Sequence, residues 1–185
     1  MPDMVVLFDT SHAQLQSMIS VYFVVQGSLQ LFFGPLVDRY GRFSILILGL
    51  LLFTLGSVML LNAETVSQLM IARVIQAIGA APTYVCVASI VNDKFTRKEA
   101  GIVGGYMMTA FSIAPIIAPL IGVVSIGFFG WSRPFYIMAG YGVIVTILVY
   151  FTVQETLKNP VPINFKSLRN NAVRLLKHKV YIIKA

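Results

Sequence analysis

The sequence predicts an all-α integral membrane protein with five transmembrane helices, and three observations carry that expectation. Of its 185 residues, 57% are hydrophobic and only 11% are charged, against roughly 25% charged in a soluble domain, and the mean hydropathy is +0.82. The charges are also unevenly spread: residues 13–37 and 43–63 carry none, and each run is long enough for the roughly 20 apolar residues that cross a hydrocarbon core as a helix. Between these runs lies Gly34-Pro35-Leu36-Val37-Asp38-Arg39-Tyr40-Gly41-Arg42, a glycine-bearing turn with an acid and two arginines. An unpaired charge in lipid costs several kcal/mol, so this segment reads as a tight aqueous link between two spans.

Gaps between charges place the spans at about 17–36, 44–62, 67–91, 102–127 and 134–153. Lys and Arg favour the cytoplasmic side of short loops. Arg39 and Arg42 follow the first span, Lys94, Arg97 and Lys98 follow the third, and a basic tail follows the fifth, whereas the alternate loops hold only Arg133 and the N-terminal tail only acids. The expected orientation is N-terminus outside and C-terminus inside, in the inner membrane. Most of the net charge of +7 lies between or after spans, which is the pattern of membrane topology and not of nucleic-acid binding. Residues 1–16 form an outer segment, 17–153 the membrane region, and 154–185 a basic cytoplasmic connector. In that connector Phe165, Leu168, Leu175, Leu176, Val180 and Ile183 share one helical face, as suits a helix at the headgroup layer. No signal peptide is expected behind Met1-Pro2-Asp3, and the single Cys86 allows no disulfide within the chain.

Within the first span, Tyr22, Gln26, Gln30 and Phe33 share a face, open to two readings: cavity lining or hydrogen bonding between helices. The second and fifth spans, mostly Leu, Ile, Val and Phe, read as lipid-facing or peripheral, with Gly49 and Gly56 two turns apart on the second. The third span holds the one basic residue inside an apolar run, Arg73, followed at helical spacing by Gln76, Ala77, Ala80 and Tyr84. Arg73 lies roughly 9 Å below the outer end of its helix at about 1.5 Å rise per residue. It either snorkels to the outer headgroups or faces a wet central cavity, where a fixed positive charge responds to a nearby carboxylic acid.

The fourth span gathers Gly101, Gly104, Gly105, Met108, Ser112, Pro115, Pro119 and Gly122 near one stripe. Pro115 and Pro119, one turn apart, each remove a helix hydrogen bond. A bent, flat-faced helix packed tightly on a neighbour is expected, serving either packing alone or a contact that opens during transport.

On these residues the chain resembles the major facilitator superfamily, and within it the Bcr/CflA group of drug–proton antiporters. Gly34-x-Leu36-x-Asp38-Arg39-x-Gly41-Arg42 is similar to the superfamily's loop signature between helices two and three. Leu69-x-x-x-Arg73-x-x-Gln76-Ala77-x-Gly79-Ala80-Ala81 is similar to its fourth-helix signature. Ala114-Pro115-x-x-Ala118-Pro119-x-x-Gly122 resembles the antiporter signature of helix five, and Gly130-Trp131 with Arg133 and Phe135 the outer loop before helix six. Phe43 and Val123 depart from the pattern, where a basic residue and a glycine are usual. The resemblance covers helices two to six of an expected twelve, with residues 1–16 as the outer end of helix one and a periplasmic loop, and 154–185 leading toward a C-terminal half.

The resemblance implies proton-driven efflux of drugs or other small amphipathic compounds by alternating access, with substrate near the midplane. It implies a cytoplasmic latch of Gly34, Asp38, Arg39, Gly41 and Arg42, with Asp93 at the inner end of the third span as ionic partner; topology-setting charge is the plainer reading of the same residues. Arg73, Gln76, Tyr84, Tyr22 and Gln26 are the candidate proton-coupling and cavity residues. No Asp or Glu lies well inside a span, so the proton carrier is expected in helix one, beyond this chain. The implied partners are the small-molecule substrate, protons, the lipid bilayer and the C-terminal half. No cofactor or metal is expected, since no metal-ligand spacing occurs. An enzyme is not expected either, for His12 and His178 lie far apart and no nucleophile–base set is present. The competing reading is a truncated, non-transporting remnant or scaffold-like membrane protein.

Overall fold

The computed structural model describes residues 10–129 and 133–157, with side chains from 123 to 133 excepted. The N-terminal nine residues, the Gly130-Trp131 loop and the basic tail that reads as an interfacial helix lie outside the described residues. The chain forms α1 (His12–Tyr40), α2 (Arg42–Leu61), α3 (Val66–Lys94), α4 (Arg97–Phe129) and α5 (Arg133–Thr152). All five are long and apolar enough to cross a membrane, and no strand occurs among the described residues. Several extend past the expected spans, because the polar end turns continue the helix into the interface.

Local chemistry sets the helix starts. Ser11 and Gln14 form a capping box at α1, and Thr65 and Gln68 form another at α3; each satisfies two backbone donors that have no partner inside the helix. At α4, the Glu99 carboxylate accepts from both the N–H and the hydroxyl of Thr96. Between α1 and α2 there is one non-helical residue, Gly41, at φ 98°, a backbone conformation that side chains with a Cβ resist. Its N–H still donates to Val37 O at 3.2 Å, so the chain reverses with almost no loop.

The core of the bundle is α3 packed against α2 and α1. The α2–α3 contact is built on glycine. A Cβ on Gly49 would stand 2.7 Å from Gly79 O, one on Gly56 2.6 Å from Gln76 N, and one on Gly79 would collide with Phe53 N. In lipid, apolar side chains gain little from leaving the solvent, so close backbone approach and its dispersion contacts drive helix association. This corrects the expectation that the second span is peripheral: its apolar residues divide between lipid and partner, and the glycines mark the partner side. The fifth helix also packs on α2, with Gly142 against Thr54 and Phe53.

The expectation of a tightly packed fourth span is also corrected. Pro115 and Pro119 sit within one continuous helix, but Gly101, Gly104, Gly105 and Gly122 have nothing within 4 Å of a Cβ position. Ala114, Pro115, Ala118 and Pro119 of that stripe are exposed, while Gly104 and Met108 border a cleft with Tyr84, Ala88 and Val91 of α3. Small residues permit close approach; they do not specify which helix approaches, and no described helix does.

Replacing Gly79 by Ala forces α2 and α3 apart and is expected to cost about 1–3 kcal/mol by overpacking. Gly104→Ala on α4, where a Cβ would meet nothing within 4 Å, is expected to cost nothing. Thermal unfolding of the purified protein in detergent checks both, and equal melting temperatures for the two variants would contradict the glycine-packed core.

Candidate functional site

Two polar sites interrupt the apolar bundle, one at the end that carries the α1–α2 and α3–α4 turns and one deep in α3.

At the turn end, the helix periodicity of α1 and the sharp reversal at Gly41 place Asp38 and Arg42 side by side. Arg42 Nη2 lies 3.1 Å from Asp38 Oδ1, and its Nε lies 3.0 Å from Asp93 Oδ2 at the end of α3. The guanidinium is 11% exposed and the two acids 52% and 30%. The Asp93 contact is a close charge pair and not an aligned hydrogen bond, since Arg42 Nε has no hydrogen-bond partner. A charge this enclosed needs its counter-ions, but water still reaches the carboxylates, so each pair is worth on the order of 1 kcal/mol. Arg39 has no ion pair among the described residues and lies over the Tyr40 ring, 5.2 Å from its centroid. Gly34 leaves open space on α1.

Two further residues join this cluster that sequence reasoning missed. Glu155, just past α5, accepts from the N–H groups of Arg42 at 3.0 Å and Phe43 at 3.2 Å. Thr156 Oγ1 donates to Asp93 Oδ2 at 2.8 Å. The signal that pointed to Glu155 was indirect: α2 begins at a glycine and has no side-chain cap, so its first donors need an acceptor from elsewhere.

Deep in α3, Arg73 Nη1 donates to Gln76 Oε1 at 2.8 Å, Gln76 Nε2 donates to Ser57 Oγ at 2.8 Å, and Ser57 Oγ donates to Phe53 O at 2.8 Å. The relay exists because Gly56 lets α3 approach α2 closely enough for Gln76 to reach Ser57. Arg73 lies over the Phe135 ring, 5.4 Å from the centroid, and Tyr22 of α1 is an electrostatic neighbour. Its Nε is buried with no hydrogen-bond partner among the described residues. The guanidinium is therefore enclosed by neutral groups, with no carboxylate beside it among the described residues.

Tyr84 and Gln26 lie elsewhere, in an apolar groove of about 370 Å³ formed with Phe53, Met107, Phe111 and Tyr141. Tyr84 and Phe111 meet edge to face at 5.8 Å. The five candidate cavity residues thus separate. Gln76 of α3, fully buried against α2, does not line the groove, and Arg73 turns toward Phe135 of α5 and not toward the proline-bearing α4. The side chains that look alike on a helical wheel differ because α2 covers one edge of that face and leaves the other open.

Five membrane-capable helices, a half-buried cation inside one of them and an ionic cluster at a tight interhelical turn describe a polytopic membrane protein. The chain belongs to the Major Facilitator Superfamily, whose family model matches residues 1–183. It is 29% identical over 173 residues to a bicyclomycin resistance protein homolog of Haemophilus influenzae, a match covering 92% of this chain and 44% of that protein. It is 35% identical over 156 residues to the multidrug resistance protein MdtL of Shewanella oneidensis, covering 84% and 39%. These relatives agree with the Bcr/CflA resemblance read from the sequence, and the chain spans less than half their length. A crystal structure of the peptide transporter POT aligns with a TM-score of 0.56 at 18% identity over 90% of this chain and 36% of that one, a likeness of fold.

Partial burial pushes the Glu155 carboxyl up, but the N–H groups of Leu157, Arg42, Thr156 and Phe43 outweigh it and hold the group below the usual carboxylate range. A depressed value means that Glu155 stabilises the closed cluster above the ordinary glutamate value of about 4.3, and that the contribution is lost as pH falls through the lowered value. Wild type and Glu155→Gln are therefore expected to differ in melting temperature at pH 7 and to converge as the medium is acidified below pH ~4. A constant difference down to strong acid would contradict an ionised cap.

Proposed function

We propose that the chain is part of a proton-coupled secondary transporter that exports drugs or other small amphipathic compounds across the inner membrane by alternating access. The observation that carries this reading is Arg73: a permanent positive charge inside a membrane span that, among the described residues, bonds to Gln76 and lies over Phe135 with no carboxylate beside it. Such a charge is costly and marks a functional site by default, and it calls for an anion that appears and disappears, which a titrating carboxylate does. The described acids, Asp38, Glu64, Asp93, Glu99 and Glu155, all lie at helix ends, so the proton carrier comes from outside these five helices. The relatives' greater length leaves room for it and for a C-terminal half closing the open face of α4. The N-terminus is assigned to the outside and the C-terminus to the inside from the basic turns.

In this reading the Asp38–Arg42–Asp93 cluster is a latch on the cytoplasmic face. Pairs worth on the order of 1 kcal/mol each hold one state without trapping it, as a cycling switch requires. The groove beside Tyr84 and Gln26, apolar with aromatic rings and one amide, suits an amphipathic substrate, with orientation set by few polar contacts.

In the intact transporter, Arg73→Ala is expected to reach the membrane yet lose drug-driven proton movement in proteoliposomes; undiminished movement would overturn the role. Asp38→Asn is expected to slow transport turnover several-fold while leaving substrate affinity nearly unchanged. Equal losses of turnover and affinity would point to a cavity or folding role instead.

A further inference from the structure

We infer that Ser57 of α2 is a positioning residue for Arg73: its hydroxyl fixes the Gln76 amide, and the amide in turn sets how strongly the guanidinium pulls on the proton carrier. The inference rests on the proton-coupling reading above and adds to it a side chain that lies outside all three signature segments.

The direction of each hydrogen bond in the relay is dictated from both ends. A guanidinium donates and cannot accept, and a backbone carbonyl accepts and cannot donate. Arg73 Nη1 therefore takes the oxygen of the Gln76 amide, at 2.8 Å. At the other end, Phe53 O takes the one proton of the Ser57 hydroxyl, also at 2.8 Å. With that proton committed, Ser57 Oγ turns a lone pair toward α3 and accepts from Gln76 Nε2 at 2.8 Å. Both ends thus demand the same amide orientation, with oxygen toward Arg73 and nitrogen toward Ser57. A flipped amide would set its NH2 group against the guanidinium and its oxygen against the serine oxygen.

The surroundings leave no substitute for the hydroxyl. Ser57 and Gln76 are both fully buried, and inside a span there is no bulk water to satisfy a stranded amide. A Cβ on Gly56 would stand 2.6 Å from Gln76 N and 2.9 Å from Ala72 O, so the two backbones close over the pair. Bonds from a hydroxyl to its own helix are ordinary; Thr54 and Thr146 make them to Leu50 O and Gly142 O. Ser57 makes that bond and also accepts from another helix, and this second bond joins α2 to Arg73. Around the guanidinium, α1 contributes the phenol of Tyr22 and α5 the ring of Phe135. The one charged residue of α2 is Arg42, at its other end.

Competition makes this bond matter for coupling. A guanidinium shared with Gln76 pulls less on an approaching carboxylate than one without an acceptor. Removing the Ser57 hydroxyl strands the Gln76 NH2 group, the amide turns in search of a partner, and Arg73 loses its acceptor. The guanidinium then leans on the carrier's carboxylate, favours its ionised form and lowers the pH at which it takes up a proton.

The experiment follows the carbonyl stretch of protonated carboxylic acids by infrared difference spectroscopy against pH. The sample is the intact transporter in vesicles of phosphatidylethanolamine and phosphatidylglycerol, with no drug present. The carrier's band is the one whose midpoint rises in Arg73→Ala, since that variant withdraws the cation. Ser57→Ala is expected to move the same midpoint toward acid by about one pH unit, a tenfold change in proton affinity. Ser57→Cys, a weaker acceptor, is expected to fall between that variant and wild type. Gln76→Leu is expected to shift the midpoint as Ser57→Ala does, and the double variant no further, because the serine acts only through the amide. Thr54→Val, on the same helix, removes a hydroxyl bonded to its own backbone and is expected to leave the midpoint in place.

An unmoved midpoint in Ser57→Ala, with the rise in Arg73→Ala present, would overturn the inference and leave the coupling reading standing. A shift toward alkali would overturn it too, as would an equal shift in Thr54→Val, which would mark a general loosening of α2. Additive shifts in the double variant would separate the serine from the amide and have the same consequence. If no carboxyl band responds to Arg73→Ala, the coupling reading falls and the inference falls with it.

Discussion

A fixed positive charge in a medium of low dielectric must be answered, and most of what is informative here follows from how two arginines are answered. Arg42 meets two carboxylates at the rim of the bundle, where water still reaches the acids. Arg73 meets an amide and an aromatic ring in the interior, and its Nε meets no hydrogen-bond partner among the described residues. Both guanidiniums leave donors without hydrogen-bond partners among the described residues, but the first has counter-ions and the second has none beside it there. Desolvating an unpaired guanidinium is unfavourable by several kcal/mol, so the imbalance at Arg73 has to be offset by tight packing around it. That packing is the glycine contact between α2 and α3, which brings Ser57 within reach of Gln76 and holds the relay rigid.

The same contact explains which parts of the structure were legible in the sequence. Spans were legible because charges cannot enter lipid, so their gaps mark the crossings. The turn at Gly41 was legible because a glycine between two runs, flanked by an acid and arginines, has few other uses. The side of α2 that faces α3 was not, since a helix of Leu, Ile and Phe presents the same hydropathy to lipid and to protein. Gly49 and Gly56 carried the information, but spacing on one helix does not name the partner. Glu155 was illegible for another reason: it is 113 residues from Arg42, and only the fold brings the end of α5 to the start of α2.

The candidate site divided along similar lines. A helical wheel of α3 puts Arg73, Gln76, Ala80 and Tyr84 on one face, and that much is real geometry. What the wheel lacks is the neighbours. With α2 across one edge of the face, Gln76 becomes a buried strut and Tyr84 a wall of the groove beside Phe111. The stripe on α4 shows the converse. Its glycines and prolines predict a close contact that no described helix provides, so the sequence stated a capacity for contact and not its fulfilment.

The two charged sites also differ in what can move them. At the rim, every bond in the cluster runs between separate helices: Arg42 of α2 to Asp93 of α3, and Glu155 beyond α5 to the start of α2. A small rotation of any one helix changes several at once, which makes the cluster responsive to rigid-body motion. Within the interior, the relay from Arg73 to Phe53 joins only α2 and α3, and their backbones are already in contact at three glycines. It cannot slide without collision. A rigid unit holding an unanswered charge, joined to a rim whose contacts exchange easily, suits the division of labour that the proposed alternating access calls for, in which the interior would hold the charge that responds to an incoming anion and the rim would convert helix movement into opening.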